Sequence, residues 1–98
     1  MIGGKLAPLE FDGANFAGAN LNGAILLRTF LDHADLSQAR LAQSALPVTE
    51  FYAARLQGTN LKNADLRDAA GLTQHQLIAA CGDDSTRVPD LLTVRLCN

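Results

Sequence analysis

Large apolar residues recur along this chain at every fifth position. Leu6, Phe11, Phe16, Leu21, Leu26, Leu31, Leu36, Leu41, Leu46, Phe51, Leu56, Leu61 and Leu66 follow one another without a slip. Leu and Phe together number 21 among 98 residues, so chance would produce the run with a probability on the order of 10⁻⁹, and the period is a true internal repeat. From Ala14 on, a small residue holds the position two before the large one in every unit: Ala14, Ala19, Ala24, Thr29, Ala34, Ala39, Ser44, Thr49, Ala54, Thr59, Ala64, with Ala69 continuing the series. Between small and large sits a mostly polar residue, as in Asn15, Asn20, Asp35, Arg40, Glu50, Arg55, Asn60 and Asp65.

A helix needs apolar positions about 3.6 residues apart and a continuous strand needs them two apart, so period five fits neither. It fits a unit of small-in, polar-out, large-in, followed by two residues that turn a corner. The corner pairs include Asp12-Gly13, Ala17-Gly18, Asn22-Gly23, Gln57-Gly58 and Lys62-Asn63. Gly and Asn tolerate the positive φ of a tight turn. A chain that bends the same way every five residues winds into a coil, and its inward positions stack ~4.8 Å apart.

The segments Ala14-Asn15-Phe16, Ala19-Asn20-Leu21, Ala34-Asp35-Leu36 and Ala64-Asp65-Leu66 resemble the A-(D/N)-L-x-x signature of pentapeptide-repeat proteins. The resemblance spans about residues 6–70. It implies an all-β solenoid: a right-handed quadrilateral β-helix, four pentapeptides to a coil and here about three coils, with a short C-terminal capping helix and an extended tail. The expected division is 1–71 for the β-helix and 72–98 for the cap and tail.

Under a twenty-residue coil, residues twenty apart stack on one face. Asp12, Asp32 and Tyr52 form one ladder, and Asn15, Asp35 and Arg55 another. Ile25, Leu27, Phe30, Pro47 and Val48 gather into one outward apolar patch, with Glu10 and Glu50 at the positions equivalent to Phe30. A contiguous exposed patch calls for an occupant. Three stand open: the C-terminal segment, a second copy of the chain, or a different protein. His33, beside Asp32, has Gly13 and Ala53 as stacking neighbours and reads as a solvated corner.

The repeat stops at Gly71. Thr73 and Gln76 form a capping box, and Leu72 with Leu77 fits a hydrophobic staple. The spacing predicts a helix from Gln74 to Cys81, stopped by Gly82, with Leu77, Ile78 and Cys81 as its apolar stripe. Too short to persist alone, it is expected to dock through Leu72, Leu77 and Ile78 on the open end of the coil. Farther on, Leu92, Val94 and Leu96 alternate with Thr93, Arg95 and Cys97, as a strand would. Two cysteines make neither a disulfide framework nor a metal site. The stretch from Gly71 to Cys97 resembles the C-terminal caps of some bacterial pentapeptide-repeat proteins, and that resemblance implies a Cys81–Cys97 pair. The expected state is two reduced thiols in a cytoplasmic protein; the alternative, should Cys81 and Cys97 form a disulfide, is a periplasmic or secreted one.

Composition narrows the function. Ten acidic and eight basic residues leave a net charge of −2, which excludes a nucleic-acid binder that works by neutralising phosphates. No apolar run reaches the ~18 residues of a membrane span. There is no phosphate-binding loop, metal-ligand cluster or nucleophile with a base in reach. A core filled by Leu, Phe and Ala leaves no room for a small-molecule substrate. The expectation is therefore a non-enzymatic structural or protein-binding module without cofactor, self-associating or bound to another protein. The alternative is a DNA mimic directed at DNA gyrase or another DNA-binding protein. Residues 6–68 carry seven acids and five bases, and the interspersed arginines weaken that alternative.

Overall fold

The computed structural model describes residues 9–24, 29–46 and 48–97. Its ladders advance by twenty residues. Strand β1 (Leu9–Glu10) pairs in parallel with β2 (Thr29–Phe30), Leu9 opposite Thr29 and Glu10 opposite Phe30. Single-residue bridges continue the same offset: Asn15 to Asp35 to Arg55, Asn20 to Arg40 to Asn60, Phe30 to Glu50 to Ala70, and Ala45 to Asp65. Each five-residue unit contributes one short extended rung, so four rungs close a coil.

The backbone explains why the period is rigid. The amides of Phe11, Phe16 and Leu21 donate to the carbonyls of Phe30, Asp35 and Arg40 on the next coil, each at 2.8 Å. Asp35, Arg40 and Arg55 return the bond to Ala14, Ala19 and Ala34 at 2.9 Å. At the corners, the amides of Ala14, Ala34 and Ala54 close tight turns onto the carbonyls three residues back. Rungs and corners thus satisfy their own polar groups without helix or wide sheet.

Side chains sort as the repeat requires. Leu31, Leu36, Leu41, Leu46, Phe51, Leu56, Leu61 and Leu66 are all buried along the axis. The small positions line the walls, and Ala24, Ala34, Ala39, Ala54 and Ala64 are buried too. Two buried hydroxyls find backbone partners: Thr59 donates to Leu36 O at 2.7 Å, and Ser44 donates to Leu41 O. On the first coil, Phe11, Phe16 and Leu21 are only partly buried against this core, and the two Phe rings meet edge to face at 5.3 Å. Leu6 and Leu26 lie outside the described residues.

The polar residue between small and large has a task that periodicity does not reveal. The Oδ1 atoms of Asn15, Asn20, Asp35, Asn60 and Asp65 accept from the amides two residues ahead, at 2.9–3.2 Å. Each such side chain occupies the first free N–H of its corner, as in an Asx turn. That is the physical basis of the Asn/Asp preference in the repeat.

Positive φ is not confined to glycine. Gly13, Gly18, Gly23, Gly58 and Asn63 adopt it, and so do His33, Gln38, Gln43, Val48 and Ala53, with φ between 56° and 62°. The corner geometry is imposed by the ladders, and residues without intrinsic preference for it are carried along.

Beyond Gly71 the chain keeps stacking, with a lengthened register. Helix α1 (Gln74–Ala79) begins at Thr73 with both arms of the capping box formed, Gln76 N to Thr73 Oγ1 at 3.2 Å and Thr73 N to Gln76 Oε1 at 2.8 Å. Gln76 Nε2 then donates to the carbonyls of Phe51 and Ala54, at 2.7 and 3.0 Å. Leu77 is fully buried and Leu72 packs partly against the core. Cys81 next pairs with Asn60, and Arg87 with Asp65, offsets of twenty-one and twenty-two.

Three expectations need correction here. The helix stops at Ala79 instead of Cys81, because Ala80 turns extended and Cys81 is drawn into the ladder beside Asn60. Ile78 is 60% exposed and does not belong to the docking stripe, since a six-residue helix with Leu77 inward turns the adjacent position to solvent. The tail is not a strand: Leu92 and Val94 are half-buried, Leu96 is exposed, and one bridge joins Leu96 to Gly82.

Candidate protein-interaction face

One side of the coil carries Glu10, Phe30, Glu50 and Ala70 as successive rungs of one ladder. Its neighbouring corner carries Asp12, Asp32 and Tyr52, stacked through Gly13 N to Asp32 O and His33 N to Tyr52 O, both 2.8 Å. Val48 stands at the opposite corner. Val48 and Tyr52 are 56% and 52% exposed, and Phe30 is half-buried in its rung. Of the apolar patch read from the sequence, Ile25, Leu27 and Pro47 lie outside the described residues. Phe30 is less exposed than expected, because the rungs of Glu10 and Glu50 flank it.

Tyr52 is the apolar member that pattern reading left out of the patch. The signal was present: stacking by twenty sets it over Asp32, one corner from Phe30.

The electrostatics differ from side to side. Positions 10, 12, 30, 32, 50 and 52 hold four carboxylates and two aromatic rings, with no Lys or Arg. One carboxylate oxygen of Asp32 is shielded from solvent and has no hydrogen-bond partner among the described residues. Elsewhere the charges alternate. Asp35 stacks on Arg55, and the Ser37 hydroxyl and amide, with Arg55, hold its carboxyl below the usual range. Asp65 pairs with Arg67 at 2.9 Å, an interaction that lowers the carboxyl and raises the guanidinium.

Nothing among the described residues gathers three His, Cys, Asp or Glu side chains about one metal-sized point. An open groove of about 250 Å³ lies between α1 and the third coil, with Arg55, Gln57 and His75 at its rim. His33 sits alone on an exposed corner. Cys81 and Cys97 form a disulfide, with a Cα–Cα separation of 4.9 Å. No helix among the described residues is long and apolar enough to cross a membrane.

The family model for pentapeptide repeats matches residues 10–46 and 49–70 in eight copies. The chain belongs to the pentapeptide-repeat family. The fold of this family is the right-handed quadrilateral β-helix, and its members are in general non-enzymatic structural modules. Among solved structures, alr5209, a pentapeptide repeat protein from Nostoc PCC 7120, is 30% identical over 92% of this chain and 86% of that one, with a TM-score of 0.63. A pentapeptide repeat protein from Cyanothece 51142 is 23% identical over 81% of this chain and 56% of that one, with a TM-score of 0.44. HetL, a pentapeptide repeat protein involved in heterocyst differentiation regulation in Nostoc sp. strain PCC 7120, is 24% identical over 80% of this chain and 41% of its own, with a TM-score of 0.32. No curated protein sequence matches the chain.

Proposed function

We propose that this pentapeptide-repeat protein is a non-catalytic binding module. Its coils hold the Glu10–Phe30–Glu50 face rigid for a partner protein that carries basic groups. The observation that carries the reading is the segregation of charge: four carboxylates flank Phe30 and Tyr52 on one side, while bases are interspersed with acids elsewhere. Aromatic rings at an interface centre supply contact area at small entropic cost.

Self-association is the second reading, favoured by the exposed Val48 and Tyr52. An isologous pairing sets each patch against its own copy, so two sets of carboxylates would face each other. That repulsion favours a different protein. The C-terminal segment serves as the cap of the coil, a reading supported by its bonds to the third coil. The disulfide supports an oxidising compartment, periplasmic or extracellular, over the cytoplasm. A DNA-mimic role gains nothing from the overall dimensions, 32 × 25 × 23 Å, shorter than the ~34 Å of one duplex turn.

Light scattering over a concentration series, with Phe30→Asp and Val48→Asp beside the parent, separates the two readings. A monomer throughout is expected. A parent dimer that both variants dissociate would replace the heterologous partner with a second copy.

A further inference from the structure

The C-terminal strap, residues 91–97, is held to the coil by few contacts. Gly82 N donates to Arg95 O at 2.8 Å, and Cys97 N donates to Gly82 O at 2.9 Å. Gln74 exchanges two bonds with the backbone of Thr93, both 2.9 Å, and Arg95 Nε reaches Ile78 O at 3.1 Å. Apolar anchoring is slight. Leu91 is fully exposed, Leu96 is 60% exposed, and Leu92 packs only partly against the core. Exposed hydrogen bonds with little buried apolar surface describe a segment of low local stability.

The two cysteines differ in what holds them. Cys81 belongs to the coil: its amide donates to Thr59 O at 3.0 Å, its carbonyl accepts from Leu61 N at 2.7 Å, and the buried Ala80 and Gly82 flank it. Cys97 belongs to the strap, where its amide donates to Gly82 O at 2.9 Å. Both are partly exposed, within reach of an attacking thiolate.

We propose that the Cys81–Cys97 disulfide is a redox latch that keeps the strap closed over Gly82. A dithiol reductant opens it. One thiolate of the reductant attacks a sulfur of the bond, forming a mixed disulfide and releasing the other cysteine as a thiolate. The second reductant thiol then attacks the reductant's own sulfur in the mixed disulfide and expels the remaining cysteine, leaving Cys81 and Cys97 as thiols after two electrons and two protons have passed, and the reductant as a disulfide. Cys81 stays in its ladder, and Cys97 leaves with the strap. The N–H and C=O of Gly82 then become an open edge at the C-terminal end of the coil, able to accept one more extended segment.

Hydrogen exchange on the full chain tests this, oxidised and after treatment with dithiothreitol, with thiol titration to confirm reduction. Closing a loop of this length in the unfolded strap favours docking by about 100-fold in the chain-entropy estimate. The amides of Gly82 and Cys97 are therefore expected to exchange about 100-fold faster after reduction, while those of Leu61, Leu66 and Arg55 stay within about threefold. Cys97→Ser should reproduce the reduced pattern without reductant. Unchanged exchange at Gly82 and Cys97 would mean that the strap docks without the bond and would overturn the latch. So would acceleration at Leu61 and Leu66, which would make the bond a staple for the whole coil. A bond that dithiothreitol leaves intact in the native protein would overturn it as well.

Discussion

Gly71 lies flat against Tyr52: a Cβ on Gly71 would stand 2.7 Å from the tyrosine ring and 2.8 Å from its backbone nitrogen. With φ at 78°, Gly71 is fixed by conformation and by contact at once. It ends the repeat and lets the chain turn toward α1. Gly71→Ala is expected to destabilise by at least the ~1–2 kcal/mol of a left-handed non-glycine residue, lowering Tm by several degrees. Tyr52→Ala in the same background should restore little, because the backbone nitrogen remains in the way. Full rescue by Tyr52→Ala would show that only the ring matters.

The corners that lack glycine carry a conformational cost. Val48 is the extreme case, a β-branched residue at φ 56°. Val48→Gly removes that cost and adds the backbone entropy of a glycine, a net stabilisation of about 1 kcal/mol. Chemical denaturation measures it directly. A loss of stability would mean that the Val48 side chain packs more than its exposure indicates.

Two buried threonines at equivalent small positions should respond in opposite ways. Thr59 donates to Leu36 O, which also accepts from Ala39 N, so Thr59→Val removes one of that carbonyl's two bonds and costs about 0.5–1.5 kcal/mol. The Thr29 hydroxyl has no partner among the described residues. Thr29→Val is therefore expected to be neutral or stabilising by up to ~1 kcal/mol. Equal losses at both sites would contradict the hydrogen-bond assignment.

Acid should loosen the C-terminal segment first. The amide of Asn63 donates to the Asp83 carboxylate, which also accepts from Ser85 N, both at 3.0 Å, and these bonds hold the carboxyl below its usual range. A folded-state value below the unfolded ~3.9 means that the contribution is present above that pH and is lost as pH falls through the lowered value. Asp83→Asn keeps an acceptor oxygen and removes the titration, so the fall in Tm between pH 5 and 2 should be shallower than in the parent. An identical acid profile would assign the effect to Asp35 and Asp65.

The sequence made the coil legible because a five-residue period sorts every side chain inward or outward with no tertiary choice left. The Asn/Asp preference could also have been read: Asn15 and Asn20 stand two residues before a corner amide, the spacing of an Asx turn. The positive φ at His33, Gln38, Gln43 and Ala53 was not legible, since nothing local favours it and the ladders impose it. The start of α1 followed from Thr73 and Gln76. Its end did not, because Gly82 serves a purpose other than stopping a helix. A Cβ on Gly82 would overlap the Thr86 side chain, whose hydroxyl donates to Leu61 O at 2.7 Å and accepts from Asp83 N at 2.9 Å. The offsets of twenty-one and twenty-two at Cys81 and Arg87 depend on such contacts and leave no periodic trace. On the interaction face, apolar pattern found Phe30 and Val48, but Tyr52 emerged only once its corner was seen beside them.

The proposed binding surface is the face of Glu10, Phe30, Glu50 and Tyr52. Its most direct measurement is the affinity of a partner captured from the source extract for four proteins: the parent, Glu50→Lys, Tyr52→Ala, and Arg40→Glu on another side of the coil. Glu50→Lys and Tyr52→Ala should each weaken binding at least tenfold, as hot-spot residues do, with the Glu50 effect shrinking as salt is raised. Arg40→Glu should change it less than threefold. Equal affinities for all four, or a loss confined to Arg40→Glu, would contradict the assignment.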